Sequence, residues 1–164
     1  MDDTARGDAA RFCICEVILD PESIVSRSPD IDHERQVAIF DLLEHNHFRP
    51  AGSPGGPYQL RLAIEDGRLV FDIRTDDGAA HGRIILSMKP FRRIIKDYFM
   101  VCESYYEAIK TAAPSQIEAI DMGRRALHDE GSELLAERLE GKVEVDFDTA
   151  RRLFTLICAL HTRG

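Results

Sequence analysis

Residues 86–110 constrain the fold more than any other part of the chain. Phe91, Ile94, Ile95, Tyr98, Cys102, Tyr105 and Ile109 recur there in steps of three and four, the spacing of one apolar face on a helix of 3.6 residues per turn. Pro90 suits the first turn of such a helix, where its missing N–H would have found no partner. The other face carries Arg92, Arg93, Lys96, Asp97, Glu103, Glu107 and Lys110. A chain organised around this helix must bury the aromatic side and turn the charged side to water or to a partner.

The remaining pattern divides into strands and helices. Residues 12–19 are apolar on both alternating sides, as in a buried strand. Asp30 or Asp32 is expected to cap a helix over 32–45 that buries Val37, Ile39 or Phe40, Leu42 and Leu43. Pro50, Gly52, Pro54, Gly55, Gly56 and Pro57 make 49–57 an irregular connector or lid. Residues 58–65 alternate polar with apolar, and Asp66-Gly67 is a strong hairpin signal. The return strand, a second turn at Asp76-Asp77-Gly78 and a third strand over 82–86 complete an antiparallel meander.

Beyond Pro114, Ser115 and Glu118 have the spacing of a capping box. Gly131 is read as the end of that helix or a kink, with a second helical piece over 132–140. Val143 and Val145 suggest a short extended segment. Asp148 is expected to cap a last helix that buries Ala150, Leu153, Phe154, Ile157 and Leu160. These elements predict an α+β fold: a small antiparallel sheet, made of an N-terminal strand and a three-stranded meander, packed against four to five helices. Residues 1–10 read as a flexible tail, and 11–164 as one domain.

Charge and cysteine usage narrow the role. The formal net charge is −8, which argues against nucleic acid or an anionic membrane as the main partner. No apolar run approaches the roughly 18 residues of a membrane span, and the first residues are acidic where a signal peptide would be basic. The expected compartment is the cytoplasm, with Cys13, Cys15, Cys102 and Cys158 as reduced, buried thiols. No metal-ligand spacing and no cofactor motif is present in the sequence, so neither a metal nor a cofactor is expected.

Two residue groups are candidates for chemistry. Residues 81–96 hold Arg83, Lys89, Arg92, Arg93 and Lys96 without one acid. Arg-Arg pairs recur near predicted helix starts at Arg92-Arg93, Arg124-Arg125 and Arg151-Arg152. Guanidinium forks bind phosphate or carboxylate bidentately, so Arg92, Arg93 and Lys96, with Arg124 and Arg125, form the candidate ligand-binding set. The competing reading pairs the later arginines internally with Glu118, Asp121 and Asp148. The second group, Asp30, Asp32, His33 and Glu34, would suit acid–base work, with His33 and Glu34 or Asp97 as the catalytic residues of an enzyme.

Several long segments carry a resemblance: 28–35 (Ser-Pro-Asp-Ile-Asp-His-Glu-Arg), 55–58 (Gly-Gly-Pro-Tyr), 90–99, 114–125 and 146–154. Across about 12–164 the chain resembles a bacterial family known only as an uncharacterised protein family, of the UPF type. That resemblance implies no catalytic residue, cofactor or activity. The leading expectation is a binding or regulatory module that recognises an anionic small molecule or an acidic protein surface. A small hydrolase or transferase acting on a phosphate- or carboxylate-bearing substrate is the rival, and a homodimeric structural or interaction protein is the third.

Overall fold

The computed structural model describes residues 11–23 and 29–160; the expected tail, 1–10, lies outside the described residues. In chain order these form β1 (Ile14–Leu19), α1 (Pro29–Glu44), β2 (Phe48–Pro50), β3 (Tyr58–Glu65), β4 (Arg68–Thr75), β5 (Ala80–Ser87), α2 (Lys89–Thr111), α3 (Pro114–Leu139), β6 (Val143–Val145) and α4 (Phe147–Ala159). The class is α+β, as expected.

Alternation makes the meander. Leu60 lies opposite Ile73, and Leu62 opposite Phe71, all four buried on the helix-facing side. Arg61 and Asp72 face each other on the outer side. Asp66 and Gly67 turn the chain with φ of 53° and 72°, values that the primed hairpin turn requires. β5 continues the pattern, with Leu86 opposite Leu69 and Ile84 opposite Phe71.

The fourth strand departs from the expected antiparallel sheet. β1 runs parallel to β3, with Val17 opposite Leu60 and Leu19 opposite Leu62, and the sheet order is β1-β3-β4-β5. Parallel neighbours need a long crossover, and α1 lies in that connection. The sheet is therefore mixed. As an edge strand β1 is less buried than its composition suggested: Ile18 keeps 43% of its surface, Cys15 is exposed at a register shift, and Cys13 is intermediate. Only Cys102 and Cys158 are buried thiols.

Asn46 closes the outer side of β1. Its Oδ1 accepts from Ile14 N at 2.7 Å, while its Nδ2 donates to Ile14 O at 3.0 Å and to Leu42 O at 2.7 Å. One amide thus replaces a neighbouring strand and also ties β1 to the end of α1. β2 pairs antiparallel with β6 as a separate two-stranded sheet, so part of the expected irregular connector is strand.

The helix at the centre is α4. Eight of its thirteen residues are buried, against six of twenty-three in α2, where Ile109 stays 50% exposed. The cap of α4 is Asp146, which accepts from Thr149 N at 2.8 Å; Asp148 follows in the first turn. On α1, Leu42 is buried and Ile39 partly so, but Val37, Phe40 and Leu43 are 40–63% exposed. The capping box at Ser115 does not form, because Pro114 occupies the first turn of α3 and Ala113 the cap position.

α3 runs unbroken through Gly131. A Cβ there would lie 2.1 Å from Cζ of the Phe154 ring, so glycine marks close approach between α3 and α4 rather than a helix end. Gly131→Ala is expected to cost about 1–3 kcal/mol through overpacking. Gly123→Ala, where a Cβ meets nothing within 4 Å, is expected to add up to about 1 kcal/mol through helix propensity. Denaturant unfolding of the two variants checks this, and equal effects would contradict the close contact.

Candidate functional site

Three helices line an open cleft of about 530 Å³. Each contributes a stripe at helical spacing. From α1 come His33, Glu34, Val37, Ala38 and Asp41; from α3, Arg124, Arg125 and His128; from α4, Asp148, Arg151, Arg152 and Thr155. Tyr98 of α2 reaches it from below.

Tyr98 and His128 line the floor of the cleft, with Phe154 buried against them. Tyr98, His128 and Phe154 form a triangle with ring centroids 5.5, 5.3 and 6.3 Å apart. His128 Nε2 lies 2.7 Å from Thr155 Oγ1, and that hydroxyl lies 3.2 Å from Arg151 O as a donor. This chain of hydrogen bonds fits an Nε2–H tautomer that donates to Thr155 Oγ1, whose own O–H donates to the carbonyl. Burial, helped by the nearby Arg151, pushes the His128 pKa down to about 4. The ring is therefore neutral near pH 7 and is poorly matched to proton transfer there. Burial likewise raises the Tyr98 hydroxyl above its ordinary range.

The walls carry arginines whose partners differ. Arg124 bonds Asp121 at 2.7 Å, lies 3.7 Å from Glu34 and sits over the Tyr105 ring at 5.0 Å. Partial burial opposes its charge, but Asp121 and the neighbouring anions hold it firmly protonated. Glu34 also accepts from the Tyr106 hydroxyl at 2.5 Å. Arg125 shares Asp121, through Nε at 3.0 Å, and its side chain is 70% exposed. Arg151 is 3.5 Å from Asp129. Arg152 donates to the backbone carbonyl of His45 at 3.0 Å, which satisfies a carbonyl just past the end of α1 without neutralising the guanidinium.

The comparisons with known proteins agree with one another. The model of the uncharacterised protein family UPF0262 matches residues 11–163. The chain belongs to the UPF0262 family. A UPF0262 protein of Rhizobium leguminosarum bv. trifolii is 61% identical over 160 residues, covering 98% of this chain and 99% of the relative. One from Rhizobium meliloti is 63% identical over 151 residues, 92% and 95% of the two chains. One from Nitrobacter winogradskyi is 59% identical over 162 residues, 99% and 97%. No solved structure matches the chain.

In this UPF0262 chain the candidate residues separate into two places. His33, Glu34, Arg124 and Arg125 meet at the cleft. Arg92, Arg93, Lys96 and Asp97 do not line it. Arg92 lies beside the β3–β4 turn, with Nη2 3.4 Å from the position of a Cβ on Gly67. Arg93 is 93% exposed and only 3.9 Å from Asp97, an ion pair of little energetic weight. Arg92, Arg93 and Lys96 are thus exposed positions on α2 outside the cleft. The internal pairing weighed for the other arginines holds for Arg124 and Arg125 with Asp121; Arg151 instead meets Asp129, and Arg152 a carbonyl.

Asp41, His128, Asp148 and Thr155 lay outside the candidate set. The i, i+3/i+4, i+7 stripe Asp148, Arg151/Arg152, Thr155 was visible, but nothing local marks it as concave. A second cavity of about 660 Å³ lies along β2, the following loop and β6. Its arginine, Arg49, is taken up against the Phe12 ring at 4.7 Å, which leaves it a poorer anchor. Among the described residues no group of three or more metal-ligating side chains occurs, and no helix is long and apolar enough to cross a membrane.

The neutral His128 gives a pH dependence of fixed sign. Above its unfolded pKa of about 6.5 neither state is protonated there, and the full contribution to stability is present. As pH falls from that value toward about 4, the unfolded chain takes up a proton that the folded protein excludes. Stability should therefore drop by up to about 1.4 kcal/mol per pH unit from this residue. His128→Phe is expected to flatten that part of the curve. Equal slopes for both proteins in pH-resolved denaturant unfolding would contradict the buried neutral ring.

Proposed function

We propose that this protein is a binding module for a small molecule that carries a phosphate or carboxylate, held in the cleft between α1, α3 and α4. One observation carries the reading: Arg125 and Arg152, from two different helices, open onto one cleft, Arg152 with no carboxylate partner among the described residues and Arg125 with one it shares with Arg124. Asp121 is shared by two guanidiniums, and the second acid near them, Glu34, lies on the Arg124 side at 3.7 Å. Arg152 has a neutral carbonyl as its acceptor. A guanidinium left with free donors in a partly enclosed site binds oxyanions through charge-assisted bonds. The cleft volume of about 530 Å³ lies in the usual range for small-ligand sites. Arg124 serves the site as a strut, since Asp121, Glu34 and Tyr105 already occupy it.

Calorimetric titration with ethyl phosphate tests this reading. Arg125→Ala and Arg152→Ala should each weaken binding about tenfold, the weight of one charge-assisted hydrogen bond. Arg93→Ala should leave it unaltered. Wild-type affinity in both cleft variants, or no binding to the wild-type protein, would overturn the proposal.

A further inference from the structure

We infer that the ligand of this cleft is zwitterionic: beside its anionic group it carries an ammonium or comparable cationic group, received by Asp41 with Asp148. The inference rests on the reading of the cleft as an anion site and adds the second half of the ligand. It starts from charges of the opposite sign at the same opening. Asp41 and Asp148 both line the cleft, and neither side chain has a hydrogen bond or ion pair among the described residues. Every other acid close to the cleft arginines is engaged: Glu34 by Tyr106 and Arg124, Asp121 by Arg124 and Arg125, Asp129 by Arg151.

A local duty accounts for one of the two uncommitted acids only. Asp148 stands in the first turn of α4, where a carboxylate complements the helix dipole. Asp41 stands in the body of α1 (Pro29–Glu44), away from the positive end of that helix. It is only partly exposed and shares its helical stripe with Glu34 and Ala38. Asp148 precedes Arg152 by one turn, yet Arg152 bonds His45 O rather than this acid. Among the described residues the cleft thus offers an arginine without a carboxylate, Arg152, together with two carboxylates without a cation, Asp41 and Asp148. A purely anionic ligand would meet repulsion from Asp41, whereas a ligand with separated charges of both signs meets complementary groups at each end.

The test compares O-phosphoethanolamine with ethyl phosphate, a pair that differs in the ammonium group. Calorimetry on the wild-type protein should give about tenfold tighter binding of the zwitterion. In Asp41→Asn the two affinities should converge, and thermal unfolding of that variant confirms that it folds. Equal affinities in the wild type, or an undiminished preference in Asp41→Asn and in Asp41→Asn/Asp148→Asn, would overturn the inference while leaving the anion site standing. Failure of both ligands to bind would overturn the anion reading and this inference with it.

Discussion

The contact of Gly131 with the Phe154 ring governs the helical half of the molecule. It lets α3 approach α4 closely enough for the ring to lie where a Cβ would otherwise stand. His128, one turn before Gly131, then reaches Thr155 at 2.7 Å, and Tyr98 completes the ring triangle from α2. The aromatic packing beneath the cleft follows from this close approach. A larger side chain at 131 would separate the helices and open the floor to water, since packed interiors accommodate added volume poorly.

The cleft is a place of balanced rather than single-sign charge. The chain is acidic overall, and its arginines there are mostly matched by acids from the same or a facing helix. What distinguishes Arg125, Arg152 and Asp41 is incomplete matching. Surface ion pairs contribute little to stability, so such pairs do not explain why so many charged groups gather on three converging stripes. The proposed recognition of a small polar molecule would account for it.

Much of the fold could be read from local pattern. The β3–β4–β5 meander follows from alternation and from Asp66-Gly67, signals confined to a few residues. The buried faces of α2 and α4 follow from helical spacing. The direction of β1 was not legible, because an isolated apolar strand carries no mark of its partner; only the helix between it and β3 hinted at a parallel crossover. Gly131 misled for a related reason. Its cause, Phe154, lies on another helix, while a glycine read locally signals a stop. Asp146 rather than Asp148 caps α4 because Asp146 is the residue placed to accept from the N–H of Thr149.

The candidate site was half legible. His33 and Glu34, singled out as an acid–histidine cluster, and Arg124 and Arg125, singled out as an Arg-Arg pair near a predicted helix start, lie together at the cleft. Arg92, Arg93 and Lys96 drew attention by crowding along the sequence, and sequence crowding is blind to which residues of other helices will face them across a cleft. The most direct test of the account follows the arginine Nε–H resonances by NMR during titration with O-phosphoethanolamine. The signals of Arg125 and Arg152 should move with one shared binding curve while those of Arg92 and Arg93 stay in place. Movement confined to Arg92 and Arg93, or a stationary Arg152 at saturation, would contradict a ligand seated between α1, α3 and α4.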